Sequence, residues 1–227
     1  MRVKKTIWQP LVLGVVLGVL AGMATVTGLS FLTPGITDNA IGFYGTLLLL
    51  ASALGGPLAG AIAAMIFVII STLFGPPDLK EILSDPTVFW PNLLALATTV
   101  ALVGFGYRFI FERIKMPVRL LAWAGIVIAY YVMLTPLSVT PQYLLSVDPS
   151  YEILPAIRYG YETYAPQAIF DIFITSLVFI ALPAKYVRPL WYEAKIVPKQ
   201  DDQIDIERDQ IETTKSETNG TKVRHEN

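Results

Sequence analysis

The chain has 227 residues, 54% of them apolar and 15% charged, and a formal net charge of −1. It contains no cysteine, and its single histidine, His225, lies in the last residues. Disulfides and thiolate metal sites are therefore excluded, a transition-metal site would have carboxylates alone to draw on, and the commonest general base is missing. No metal, cofactor, nucleic-acid partner or catalytic residue is assigned.

Charge is scarce in blocks about as long as a bilayer core is thick, where about 20 apolar residues span about 30 Å as a helix. The sequence predicts an all-α, polytopic membrane helix bundle of six transmembrane helices in the cell membrane. The membrane domain covers 1–199, with both termini cytoplasmic, and a disordered acidic tail covers 200–227. The first span is read over 7–29 and carries Gly14, Gly18 and Gly22, a doubled GxxxG spacing that lets helix backbones approach closely. It serves either packing within the chain or docking of a membrane partner.

The second span, over 40–56, is short and meets the third, over 57–75, at Gly55-Gly56-Pro57. One helix over 40–75 would be about 54 Å long, and Pro57 behind two glycines is a strong break, so two helices are expected. Gly60 continues the small-residue pattern into the third span. The remaining spans are read over 92–107, 120–137 and 165–184, with a long outer loop over 138–164 that forms either a short helix or lid over the outer cluster or a purely structural cap. Residues 200–227 are rich in charge and lack aromatic residues, a composition that does not build a core.

Orientation follows from the basic residues. Arg2, Lys4 and Lys5, then Arg108, Arg113, Lys115 and Arg119, then Lys185, Arg188, Lys195 and Lys199 fall on one side of a six-span topology, against Lys80 and Arg158 on the other. The positive-inside rule makes the first side cytoplasmic. Trp8, Trp90 and Trp191 sit at span ends, where aromatic belts form.

Ionisable residues within spans are the main functional pointers. Asp171 is the one acid well inside a span, and Gln167 and Tyr164 share its helical face. Asn92, Trp90, Tyr44, Asp38 and Asn39 fall at the same outer level. Together these eight residues form a candidate set for a small extracellular ligand, and the acids favour one with an amine or a cation, because an unpaired buried carboxylate is expensive. An interhelical hydrogen bond that fixes packing accounts for Asp171 equally well.

The segment from Asp38-Asn39 through Gly55-Gly56-Pro57-Leu58-Ala59-Gly60, the helix 61–74, Gly75 and the span opening near Asn92 resembles the membrane receptor domain of LytS-type sensor histidine kinases, the 5TM receptor. Ala165-Pro166-Gln167 before an apolar helix resembles the last span of that family. The resemblance implies a ligand-sensing module. The family usually carries an arginine near the acid and another before the glycine loop, and here Ala40 and Ser71-Thr72 stand in those regions. No output domain follows residue 199, so a separate membrane or cytoplasmic partner is implied. The layout is also similar to the substrate-binding S subunits of energy-coupling-factor transporters, in which small-residue faces dock a transport partner. A third alternative is a structural or assembly factor without a ligand.

Overall fold

The computed structural model describes residues 8–27, 30–32, 40–75, 85–145 and 152–183. The tail over 200–227, the end of the membrane domain beyond 183, and Asp38 and Asn39 lie outside the described residues. Six helices are found among the described residues: α1 (Trp8–Val26), α2 (Phe43–Gly55), α3 (Pro57–Phe74), α4 (Pro86–Arg113), α5 (Val118–Leu145) and α6 (Ile153–Ala181). All but α2 are long and apolar enough to cross a membrane, which marks a multi-pass membrane protein. Two short antiparallel strands, β1 (Ser30–Leu32) and β2 (Ala40–Gly42), pair Ser30 with Gly42 and Leu32 with Ala40.

The break between α2 and α3 falls where the sequence places it. Gly56 adopts φ 88°, a left-handed conformation that favours glycine, and Pro57 opens α3, where a missing N–H costs nothing. The chain reverses there, so Ser52 lies against Gly60 and Tyr44 against Phe67. Small residues set the spacing throughout. A Cβ on Gly14 would lie 2.6 Å from Ala59 O and one on Gly18 2.7 Å from Ala63 O, so α1 runs parallel to α3 at near backbone contact. A Cβ on Gly104 would lie 2.7 Å from Pro57 N, which seats α4 over the turn. The Ser52 hydroxyl also donates to Val100 O. Successive helices alternate in direction, as the contacts of Gly106 with Ile126 and of Trp123 with Thr175 show for α4–α5 and α5–α6.

α2 sits among α1, α3, α4 and α6. Most of its residues are buried, including Leu48, Leu49, Ala51 and Ser52. Its 13 residues give a length of about 20 Å, shorter than a bilayer core, but its neighbours shield it from lipid. The opposite side of α1 exposes Val12, Val15, Val16, Val19 and Met23, and α6 exposes Ile169, Phe173 and Ile180, as lipid-facing stripes do. Near the Gly56 end, Tyr107, Trp123 and Phe179 form an aromatic core with ring centroids 5.1–5.4 Å apart. Arg119 closes the α4 end by donating to Ile114 O at 2.9 Å and Phe111 O at 3.3 Å.

Three sequence expectations are corrected. The outer loop over 138–164 is largely helix: α5 continues to Leu145 and α6 begins at Ile153. Polar residues and prolines end the hydropathy signal there, but a helix leaving the hydrocarbon needs no apolar surface to keep its own hydrogen bonds. The α6 extension packs on α5, where a Cβ added at Gly160 would lie 2.5 Å from Thr135 Cγ2 and the Tyr161 hydroxyl donates to Val132 O at 3.2 Å. The second span begins at Phe43 rather than at residue 40, because Ala40–Gly42 is extended and paired with β1. That pairing also adds a small sheet to an architecture expected to be entirely helical.

Candidate functional site

Asp171 is fully buried, at 0% exposure. It projects from α6 toward α2 and α5 and accepts three hydrogen bonds. Thr46 Oγ1 donates to Oδ1 at 2.5 Å, Tyr131 Oη to Oδ2 at 2.5 Å, and Gln167 Nε2 to Oδ1 at 3.0 Å. Helical spacing explains why Gln167, Asp171 and Thr175 share one face. That face becomes a polar seam: Thr175 donates to Asp171 O at 2.5 Å and receives the Trp123 Nε1 proton at 2.7 Å. Gln167 also holds β2. Its Oε1 accepts from Gly42 N at 2.9 Å and its Nε2 donates to Gly42 O at 2.8 Å. Gly45 makes the approach possible, since a Cβ there would lie 2.1 Å from Asp171 Oδ2.

Beside this seam, at the end of the bundle away from Gly56, is a cavity of about 280 Å³. All six helices contribute to its wall: Thr25 from α1, Tyr44 from α2, Ser71 from α3, Asn92 from α4, Tyr131 from α5 and Tyr164 from α6. Ser71 is 1% exposed, and its hydroxyl has no hydrogen-bond partner among the described residues. An orphaned hydroxyl in an apolar setting costs about 1–3 kcal/mol, unless something in the cavity pairs with it. Asn92 donates to Val88 O within its own helix at 2.8 Å.

The expected site residues thus divide. Tyr44, Asn92 and Tyr164 converge on the cavity. Asp171 and Gln167 lie behind it, connected through Tyr131, which both lines the cavity and donates to Asp171. Trp90 is 56% exposed, stands edge-on to Phe89 and is not among the lining residues. Gly14, Gly18, Gly22, Gly55, Gly56, Pro57 and Gly60 lie in the packing among α1, α2, α3 and α4. Sequence reading missed Thr46, Ser71, Tyr130 and Tyr131. Thr46 and Ser71 are single hydroxyls in apolar runs, and Tyr130-Tyr131 reads as ordinary span aromatics. Nothing in the chain order marks which helix face meets α6.

No family model matches the chain, and no curated protein or solved structure is significantly similar to it. Among the described residues, no group of His, Cys, Asp and Glu is arranged to hold a metal ion.

Proposed function

We propose that this protein is a membrane-embedded binding module for a small extracellular molecule, similar in role to a LytS-type receptor domain and passing its signal to a separate partner. The cavity carries this reading. Six helices converge on one cavity, and a buried serine hydroxyl in its wall has no partner among the described residues. Small-molecule sites combine apolar and aromatic walls with a few placed polar groups in this way.

The same reading takes α2 as a sixth span and both termini as cytoplasmic. Its support is the alternation of helix direction, the protein environment that surrounds the short α2, and the basic residues Arg108, Arg113, Lys115 and Arg119 gathered at the Gly56 end. The cavity then faces outward. The transporter-subunit alternative drew on an open glycine face of α1. α3 occupies that face, so it gives no argument for partner docking.

The test is a thermal-shift screen of the full-length protein in lipid nanodiscs against a panel of small metabolites, repeated on Ser71→Phe, which fills the cavity. A bound ligand raises Tm by linkage. At least one compound is expected to stabilise the natural protein and not the variant. Stabilisers that act equally on both would remove the cavity as the site.

A further inference from the structure

The cavity wall is unusually aromatic. Tyr44 comes from α2, Phe67 from α3, Tyr130 and Tyr131 from α5, and Tyr164 from α6. These rings brace one another. Tyr44 stacks on Phe67 with centroids 5.3 Å apart and planes at 13°, Tyr130 meets Tyr131 edge-on at 4.6 Å, and Tyr131 meets Tyr164 at 5.6 Å. Rings braced in this way hold a fixed aromatic wall around the space they line. The face of an aromatic ring is the negative end of its quadrupole, and it attracts a cation within about 6 Å, more strongly where water is excluded.

The polar groups admit the same charge. The Tyr44, Tyr130 and Tyr164 hydroxyls make no hydrogen bond among the described residues, and each phenol oxygen can accept as well as donate. Tyr131 has its proton committed to Asp171, so its phenol oxygen has only lone pairs left to offer. No Lys, Arg or His is among the described residues lining the cavity. A carboxylate or phosphate placed there would be desolvated without a positive partner, at high cost. An ammonium would meet ring faces and phenol oxygens, with the Asp171 carboxyl one hydrogen bond behind Tyr131.

Taking the cavity as a ligand site, as proposed above, we infer that its ligand is a small organic cation: an alkylammonium held by the faces of Tyr44, Tyr130, Tyr131 and Tyr164, carrying a hydroxyl or amide that pairs with Ser71. The volume of about 280 Å³ lies near the lower end of the range for small-molecule pockets, about 300–1,000 Å³, and so limits the ligand to a compact molecule.

The chain has no native cysteine, so Ser71→Cys supplies a single thiol at the cavity wall. Thr25→Cys is the second position if the first variant does not fold. Full-length protein in lipid nanodiscs is labelled with the neutral reagent methyl methanethiosulfonate, in the presence of choline or of its uncharged isostere 3,3-dimethylbutan-1-ol. Choline is expected to slow labelling at concentrations about tenfold below those at which the isostere acts. Equal potency overturns the cation inference and leaves the cavity as a site for neutral molecules. Labelling slowed by neither compound also overturns it. A thiol that the reagent reaches at neither position in the folded protein overturns both the inference and the reading of the cavity as a ligand site.

Discussion

Gly45 and Asp171 occupy complementary space: a Cβ on Gly45 would lie 2.1 Å from Asp171 Oδ2 and 2.7 Å from the Tyr131 hydroxyl. Gly45→Ala is therefore expected to destabilise the protein by about 1–3 kcal/mol, the usual cost of overpacking. The cost should shrink when Asp171→Ala vacates the space. Unfolding of both single variants and the double variant gives the coupling directly. An equal cost in both backgrounds would show that Gly45 acts elsewhere.

Asp171 accepts from three side chains on three helices' worth of structure, α2, α5 and its own α6. Asp171→Leu strands the Thr46 and Tyr131 hydroxyls and leaves Gln167 Nε2 with Gly42 O alone, and should cost about 3 kcal/mol. Tyr131→Phe removes one donor and leaves the carboxyl with two, for about 1 kcal/mol. Denaturation in detergent ranks the two variants, and a reversed order would contradict the network as described.

Gly18→Leu bears on what the α1 glycine stripe is for. Its side chain would meet Ala63 Cα, already 2.8 Å from an added Cβ, and α1 would have to move off α3. A loss of about 2 kcal/mol or more is expected in the isolated protein, read as a lower Tm without any partner present. A variant as stable as the natural protein would return the stripe to docking.

Gln167→Ala should release β2 from α6. The Gly42 amide, now protected by Gln167 Oε1 at 2.9 Å, should exchange its hydrogen faster, while amides of α2 such as Leu49 keep their protection. Hydrogen–deuterium exchange resolves the two regions. Unchanged Gly42 protection would mean that the strand is held by its partner strand alone.

Asp85 caps α4 by accepting from the Thr87 backbone N–H at 2.8 Å and its hydroxyl at 2.7 Å. The Thr87 hydroxyl, then its N–H, holds the carboxyl below its usual range. A depressed folded value adds stability above the unfolded value, about 3.9, and that stability is lost as pH falls through the folded value. Asp85→Ala should thus lower Tm at pH 7, with the difference from the natural protein narrowing as pH falls below the unfolded value. A difference that stays constant with pH would show that the ionised cap contributes nothing.

The sequence by itself determined that this is a multi-pass helical membrane protein, because apolar runs of bilayer length need no partner to be recognised. It also placed the reversal at Gly55-Gly56-Pro57, since only local backbone chemistry decides that turn. It identified Asp171, Gln167, Tyr44, Asn92 and Tyr164 as polar groups at one level. The tertiary structure decided how these divide. Tyr44, Asn92 and Tyr164 open onto a cavity, whereas Asp171 and Gln167 are consumed in a network with Thr46, Tyr131 and Gly42. Those partners lie 40 to 125 residues away in the chain, and the rotation of each helix about its axis is set by packing, through glycines that let neighbours approach. Hydropathy reports depth in the membrane. It carries no information about which face of a helix meets which neighbour, and the site depends on that.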